Sequence, residues 1–390
     1  MHREHQREQQ RDGGGTMTMN LEQENLLIDR AGLKAIRSKV DQGERLSFED
    51  GVLLYEHPNL MAVGALAQRV RHRRHGKKTY FNINLHLDYT NVCIYSCKFC
   101  AFAAKPGEDR AYLMSPEDIY NRILPLRDSE VSEVHMVAGI HPDMGYDYYL
   151  DIIRAAKRAK PDIHVKAFTM VEIDHLLKIS GKSEDQVFED LREAGLGSCP
   201  GGGAEVLTTR IHKAVFRDKI SPEEWLASAR KVQEHGFRMN ATMLYGHVER
   251  VKERVEHFVR LRELQDETGG FMTFIPLAFW PYNTALENYG KVTTGWNDLR
   301  QIAVSRLMLD NFPNIKAYWI MMTPKVAQIA QSFGANDLDG TVTEERITHD
   351  AGTSAPMELP KQELIHMIRA AGFDPVLRDT TYQRFETVGS

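Results

Sequence analysis

The chain has 390 residues, of which 42% are hydrophobic and 26% are charged, a balance typical of a globular protein with one large or two modest domains. Its formal net charge of −5 provides no positive field for holding a polyanion, so we expect no nucleic-acid partner. No apolar run approaches the roughly 20 residues that a membrane span needs, so no membrane partner is expected.

The N-terminal part of the chain is predicted to contain a leader and a helical extension. Residues 1–19 are polar, lack the apolar segment of a secretory signal and are predicted to form a disordered leader. Residues 20–78 are predicted to form an N-terminal helical extension, because apolar side chains such as Leu27 and Ile36 recur at roughly helical spacing. Ser47 is a potential N-cap of a second helix in this segment.

From Thr79 onward, short apolar runs alternate with amphipathic helical stretches, the pattern of repeated β-strand and α-helix units around a parallel sheet. The predicted strands are 82–87, 133–138, 164–168, 195–198, 238–244, 271–275, 315–320 and 335–340. A last helix is predicted at 361–371, before a polar tail. Eight strands fit an α/β fold, a (β/α)8 TIM-type barrel over residues 79–390, and a doubly wound open sheet is the alternative.

Three of the four cysteines, Cys93, Cys97 and Cys100, fall within eight positions on the loop after the first predicted strand. In a barrel this loop lies at the carboxyl ends of the strands, where active sites are built. The C-x3-C-x2-C spacing lets three thiolates face three corners of a [4Fe-4S] cluster and leaves one iron without a protein ligand. An open coordination position is typical of a catalytic metal site, so we predict that these three cysteines are metal ligands.

Two alternatives concern the cysteines. A structural zinc site normally uses a second cysteine or histidine pair, which this sequence does not provide. The fourth cysteine, Cys199, precedes a proline and three glycines, and we interpret it as a small residue in a tight turn instead of a fourth ligand. So few cysteines exclude a disulfide-stapled secreted scaffold. With no secretory signal, the expected compartment is the cytoplasm, and clustered cysteines in such a reducing compartment indicate metal or redox chemistry.

The cysteine loop, with phenylalanine before the last cysteine, resembles the radical S-adenosylmethionine (SAM) superfamily. Further stretches resemble one family within it, the aminofutalosine synthases of the futalosine route to menaquinone. These stretches are YFNINLH at 80–86, CPGGGAE at 199–205, ATMLYGHVE at 241–249, FIPLAF at 274–279, IKAYWIM at 315–321, FGANDLDGTV at 333–342 and RDTTY at 378–382. The resemblance implies a radical SAM barrel with a [4Fe-4S] cluster, and SAM as cosubstrate.

The resemblance also implies a reaction. An adenosyl radical from SAM adds to 3-[(1-carboxyvinyl)oxy]benzoate, giving 6-amino-6-deoxyfutalosine, methionine and bicarbonate, and a one-electron reductant such as flavodoxin or ferredoxin is required. The nearest alternative is the sister family, the dehypoxanthine futalosine cyclases, or another radical SAM enzyme. The alternative from another class is a non-catalytic iron–sulfur or zinc-binding protein.

Two histidines are the candidate catalytic residues on this resemblance. The implied substrate is an aromatic dicarboxylate, so its cavity needs hydrogen-bonding or cationic groups among apolar walls. His247 lies at the end of the fifth predicted strand, and His141 lies just after the second. His135 and Lys166 are further candidates, although His135 equally suits a structural role, and Arg306 is predicted to be a surface charge on a helix.

Four residues are candidate cofactor-binding residues. Phe99 and Phe102 flank the last cysteine and would shield the cluster or line the adenine, although core packing explains them nearly as well. Many radical SAM proteins carry a Gly-Gly-Glu turn that binds the SAM amino group. Here the corresponding residues are Ala-Gly-Ile-His-Pro, so we assign that role to a backbone carbonyl near Gly139. Glu205 follows three glycines that lead into a predicted helix, and it is assigned a ribose hydroxyl or the amino group of SAM, with a helix-dipole role as the alternative.

Overall fold

The computed structural model describes residues 20–289 and 291–389, so the predicted leader at 1–19 lies outside the described residues. The helices, in chain order, are α1 Leu21–Arg30, α2 Lys34–Gln42, α3 Phe48–Glu56, α4 Leu60–His75, α5 Pro116–Ile123, α6 Tyr146–Ala159, α7 Met170–Ile179, α8 Glu184–Ala194, α9 Thr209–Val215, α10 Pro222–Glu234, α11 Val251–Thr268, α12 Gly295–Met308, α13 Trp319–Met322, α14 Pro324–Ala330, α15 Ile347–Asp350 and α16 Lys361–Ala370. The strands are β1 Lys78–Asn82, β2 Asn84–His86, β3 Glu133–Met136, β4 His164–Ala167, β5 Leu196–Cys199, β6 Arg238–Tyr245, β7 Phe271–Ala278, β8 Asn314–Ile315, β9 Asp337–Gly340, β10 Asp374–Arg378 and β11 Phe385–Thr387. None of the helices in these ranges is long and apolar enough to cross a membrane.

Four helices, α1 to α4, precede the first strand. The Ser47 hydroxyl accepts a hydrogen bond from the backbone N–H of Asp50 at 3.1 Å, and the Asp50 carboxylate accepts one from the Ser47 N–H at 2.8 Å. These reciprocal bonds satisfy two N–H groups that have no partner within the helix, so the predicted cap at Ser47 is confirmed. Ile28 and Ile36 are buried, and α4 packs against α12.

Strands β2 to β8 form one parallel sheet whose spatial order follows the chain order. A doubly wound sheet requires a reversal of strand order, so this alternative is excluded. The edges of the sheet meet at β9, because Lys316 bridges Asp337, and Leu85 bridges Thr343 just after β9. Counting β9, eight strands surround the interior, and the predicted TIM-type α/β barrel is confirmed.

The alternation of side chains along the strands separates an apolar outer face from a polar interior. Leu85, Val134 and Val165 are register neighbours on β2, β3 and β4, and all three belong to the hydrophobic core. Successive residues of a strand point to opposite faces, so His135 and Lys166 point into the barrel. The apolar face packs under the helices, and the polar face is left to line the interior.

Buried charges in the interior are paired. The Glu133 carboxylate accepts hydrogen bonds from Lys166 Nζ at 2.7 Å, Asn82 Nδ2 at 3.1 Å and Thr380 Oγ1 at 2.7 Å. A buried ion pair is tolerated only when hydrogen bonds satisfy both partners, which this carboxylate achieves with three donors. Because Thr380 lies after β10, the C-terminal segment helps to close the bottom of the barrel.

The C-terminal residues differ from the predicted polar tail. They contribute β10 and β11 to a second sheet with the order β11-β10-β1-β9, in which Tyr80 of β1 lies beside Val376 of β10. Arg378 of β10 donates a hydrogen bond to Asp337 of β9 at 2.5 Å. Strands of three to five residues are too short to leave a clear periodic signal, and the β10 partner β1 is distant in sequence, so this sheet was not predicted.

Two local predictions need correction. The strand predicted at 315–320 ends at Ile315, because residues Trp319–Met322 turn into a short helix. Arg306 is not a surface charge, since it is 1% exposed and its Nε donates to the carbonyl of Gly334 at 2.9 Å. The cause is that α12 is covered by the barrel on one side and by α4 on another.

Candidate functional site

The cluster loop, residues 87–105, follows β2 at the carboxyl end of the barrel. Backbone hydrogen bonds fold it back on itself, from Cys93 N to Ala104 O at 3.0 Å and from Ala104 N to Asn91 O at 2.8 Å. Lys105 Nζ donates to the carbonyl oxygens of residues 93 and 95 at 3.0 and 2.9 Å. The three-cysteine segment is therefore held in shape by the protein alone.

The three thiols of this loop are free and partly buried. The pKa of Cys97 is raised to about 12, mainly by burial, and negative charge on Cys100 and Cys93 contributes to this rise. Burial also raises the pKa of Cys100. Cys97 and Cys100 are thus near enough to the neighbouring thiols to sense their charge, and a bound cation would favour the thiolate form of both, as in a metal site. No three His, Cys, Asp or Glu side chains among residues 20–289 and 291–389 are arranged to hold a single metal ion.

Gly139, after β3, lies directly against the cluster loop. Its N–H donates to the carbonyl of Thr90 at 3.0 Å, and the N–H of Ile140 points at Cys93 Sγ at 3.5 Å. A Cβ at position 139 would lie 2.3 Å from the carbonyl oxygen of Val92, so only glycine fits. The loop, its three thiols and this close approach together fit a [4Fe-4S] cluster held at three corners.

Glu205 and Lys219 form a buried ion pair beside the cysteines, with side chains 9% and 6% exposed. Lys219 Nζ lies 4.6 Å from the ring centroid of Phe216 and 5.3 Å from that of Phe99. Burial opposes the charge of Lys219, but the Glu205 carboxylate together with negative charge on Cys97 and Cys100 outweighs burial and raises the pKa of the ammonium group. The positive charge of Lys219 also acts on Cys97, where it lowers the pKa of the thiol and offsets part of the effect of burial. No motif in the sequence marks Lys219, and its role emerges only from this contact.

The alternative helix-dipole role requires Glu205 to lie in the first turn of a helix, but it does not lie there. Helix α9 begins at Thr209, and Glu205 itself has a φ of 44°, in the left-handed region. Its carbonyl accepts a hydrogen bond from the N–H of Leu244 on β6 at 3.0 Å. The carboxylate is thereby fixed between the carboxyl ends of β5 and β6.

Phe102 is buried at the outer side of the cluster loop, with its ring centroid 6.3 Å from that of Tyr112. A cavity of about 520 Å³ adjoins it and is also lined by Arg110, Arg346 and Asp350. Phe99 instead packs edge-on against Phe216, with the ring centroids 6.1 Å apart. The two predicted cofactor-binding aromatics therefore lie on different sides of the loop.

His247 lies in the turn after β6, and its side chain is 0% exposed. The Nε2 atom lies 3.1 Å from the carbonyl of Leu244, and Nδ1 lies 3.4 Å from the Glu249 carboxylate. Burial lowers the pKa of His247, which keeps the imidazole neutral. His141 is partly exposed and its Nδ1 accepts a hydrogen bond from the N–H of Asp143 at 3.2 Å. The described contacts do not bring the two histidines together.

A buried carboxyl group supports the loop from below. The Tyr89 hydroxyl donates to Glu172 at 2.5 Å, and the Thr169 N–H and hydroxyl donate at 2.7 and 2.8 Å. Burial raises the pKa of Glu172 to about 7 despite these hydrogen bonds. Cys199 is fully buried near this carboxyl group, which with burial raises the pKa of its thiol.

The raised pKa of Glu172 makes stability depend on pH. The unfolded chain releases this proton near pH 4.5 and the folded chain near pH 7, so the stabilisation is full below about pH 4.5 and is lost as the pH rises through 7. Between pH 5 and 8, we expect wild type to lose about 2 kcal/mol more unfolding free energy than Glu172→Gln. Urea denaturation of both proteins at the two pH values measures this, and equal losses would contradict it.

The comparisons with known proteins agree with this geometry. The model of the radical SAM superfamily matches residues 87–261, and that of the CofH/MqnC C-terminal region matches residues 268–390. The aminodeoxyfutalosine synthase of Thermus thermophilus is 46% identical over 89% of this chain and 94% of its own length. That of Streptomyces coelicolor is 42% identical over 90% of this chain and 94% of its own length.

Among solved structures, the FeFe-hydrogenase maturase HydG from Carboxydothermus hydrogenoformans matches with a TM-score of 0.71. The match covers 94% of this chain and 87% of that chain at 16% identity, so it shows the fold alone. Radical SAM proteins use a [4Fe-4S] cluster with SAM, and Cys93, Cys97 and Cys100 supply the three thiols. The chain is an enzyme that belongs to the radical SAM superfamily and, within it, to the family with a CofH/MqnC C-terminal region that includes the aminodeoxyfutalosine synthases.

Proposed function

We propose that the protein is an aminodeoxyfutalosine synthase, which transfers the adenosyl group of SAM to 3-[(1-carboxyvinyl)oxy]benzoate in menaquinone biosynthesis. The observation that carries the proposal is the three-thiol loop at the carboxyl end of the barrel, in a chain 46% identical over 89% of its length to a synthase of that name. In the overall reaction, the C5′–S bond of SAM breaks and C5′ bonds to the vinyl carbon. The aryl group moves from oxygen to carbon, and the carboxyl group leaves as bicarbonate, with water supplying the extra oxygen.

The residues of the chain have separate tasks in this proposal. When bound, the reduced cluster supplies the electron that cleaves SAM into methionine and a 5′-deoxyadenosyl radical. Phe99 and Phe102 exclude water from the loop, which protects a radical from quenching. The carbonyl near Gly139 accepts a hydrogen bond from the SAM amino group, and Glu205, oriented by Lys219, accepts one from the ribose or the amino group.

The substrate and the electron donor complete the proposal. The aromatic dicarboxylate lies inside the barrel, where polar side chains line the space between the strands. His247, kept neutral, and His141 border the top of that space and are proposed to hydrogen-bond the reacting end of the substrate. A one-electron carrier such as flavodoxin or ferredoxin delivers the electron at the exposed side of the cluster loop.

Product analysis tests the proposed function. The reduced enzyme is incubated without oxygen with the benzoate substrate and SAM labelled with ¹³C at C5′. We expect the label in aminodeoxyfutalosine, with one methionine released per product, and no product from Cys97→Ala. Label found only in free 5′-deoxyadenosine would contradict the proposal, because a hydrogen-abstracting enzyme such as the cyclase releases that compound.

A further inference from the structure

His86 and His135 lie side by side on the inner face of the barrel. They are register partners on β2 and β3, and their ring centroids are 4.4 Å apart. The Tyr318 ring lies 6.4 Å from that of His86, with the planes 13° apart. Since His86 ends the strand that leads into the cluster loop, these three planar groups line the interior close to the site of chemistry.

Neither imidazole ring forms a hydrogen bond with any part of the chain that the structure describes. The Nε2 atom of His86 is completely enclosed without a partner. Buried polar atoms in native proteins are nearly always satisfied, so an exception calls for a water molecule or a ligand. His135 retains partial exposure although strands flank β3 on both sides, so its ring borders an internal space.

Charged groups of both signs lie around the two rings, among them Glu345, whose negative charge acts on His86. Lys166 is paired with one carboxylate, at 2.7 Å, and Lys316 with two, at 2.8 and 3.9 Å. Burial lowers the pKa of both histidines, and the Lys166 charge lowers that of His135 further. Each neutral imidazole therefore carries one N–H that is free to donate. Neutral donors beside paired lysines suit an anionic ligand better than a cationic one.

We propose that His86 and His135 bind the benzoate carboxylate of the substrate, with Tyr318 alongside. This inference rests on the proposed function. The benzoate carboxylate is the end of the substrate remote from the vinyl group, so binding it on β2 and β3 directs the vinyl group towards the cluster loop. The two N–H donors satisfy its oxygens in an environment without bulk water, while the nearby lysines stay paired with their own carboxylates.

The test compares two substrates and two variants in the full-length, cluster-loaded enzyme. His86→Leu and His135→Leu remove one donor each and keep an apolar volume in the interior. With the benzoate substrate, we expect KM to rise about 10- to 100-fold, the effect of losing a hydrogen bond to a charged group. With 2-phenoxyacrylate, which lacks the benzoate carboxylate, we expect variant and wild-type KM values to agree within about twofold.

Matched measurements separate binding from folding. His175→Leu, on the outer helix α7, removes another histidine with an unpartnered buried Nε2, and it should leave both KM values unchanged. Iron content and SAM affinity should be unchanged in all variants. If either leucine variant does not fold, His86→Asn is used, which retains a donor. It should also raise KM for the benzoate substrate and not for 2-phenoxyacrylate, by a smaller factor.

The outcomes are distinguishable. An equal loss with both substrates would show a structural role and overturn the inference, as would a benzoate KM unchanged in both variants. Failure of the wild-type enzyme to form any adenosyl adduct from the benzoate substrate would instead overturn the proposed function. A loss confined to the benzoate substrate, with an active wild-type enzyme, supports both.

Discussion

Cys97→Ala is expected to reduce the iron content of the reconstituted protein from about four per chain to below about one, and to reduce SAM cleavage to background. Two cysteines cannot hold the cluster. Cys97 lies between Cys93 and Cys100 in the loop, and the loop offers no other cysteine to replace it. The fold should persist, because the backbone of the loop is held by its own hydrogen bonds and by Lys105. Iron and sulfide analysis, circular dichroism and 5′-deoxyadenosine release measure these three quantities.

Cys199→Ala is the matched control for this prediction. Cys199 is fully buried in the hydrophobic core at the end of β5. Its loss should cost about 1 kcal/mol of unfolding free energy through packing, while iron content and SAM cleavage stay at the wild-type level. Wild-type iron content in Cys97→Ala, or a loss of iron in Cys199→Ala, would show that the ligands are assigned wrongly.

Gly201→Ala is expected to destabilise the protein by about 3–5 kcal/mol. Gly201 has a φ of 76°, and a Cβ there would lie 1.8 Å from the carbonyl oxygen of Asn240 on β6. Backbone cannot move aside as a flexible side chain can, so the turn that carries Glu205 must shift. SAM affinity should fall together with stability. Equilibrium dialysis of the cluster-loaded protein measures the affinity, and urea denaturation of the protein without cluster measures the stability.

The neighbouring Gly202 provides the control in the same turn. A Cβ at Gly202 would meet only a side-chain methyl group of Thr169, at 3.0 Å, and this residue has no positive φ. Gly202→Ala should therefore cost about 1 kcal/mol or less. Equal costs for the two substitutions would mean that the close approach to β6 does not constrain the turn.

Features encoded in short stretches of sequence were predictable. The alternation of strands and helices gave the barrel, and Ser47 gave a helix start, because both depend on residues a few positions apart. The three-cysteine loop was predictable for the same reason, since its ligand spacing lies within one loop. The family resemblance added the reaction, which spacing alone does not contain.

Features formed by contacts between distant segments were not predictable. The pairing of β1 with β10 joins the two ends of the barrel, and no periodic pattern marks it. The ion pair between Glu205 and Lys219 depends on how the turn after α9 folds back, and the pairing of His86 with His135 depends on strand register. Glu205, His86 and His135 stand out in the sequence to different degrees, but which residue each one contacts follows only from the neighbour that tertiary structure provides.

The central claim is that three thiols hold a [4Fe-4S] cluster whose remaining iron is free for SAM. Electron paramagnetic resonance of the anaerobically reconstituted, reduced protein tests it most directly, before and after SAM is added. We predict that chemical analysis finds about four iron and four sulfide per chain, and that the resonance signal shifts when SAM binds. Protein without iron and sulfide, or a signal that SAM leaves unchanged, would contradict the claim.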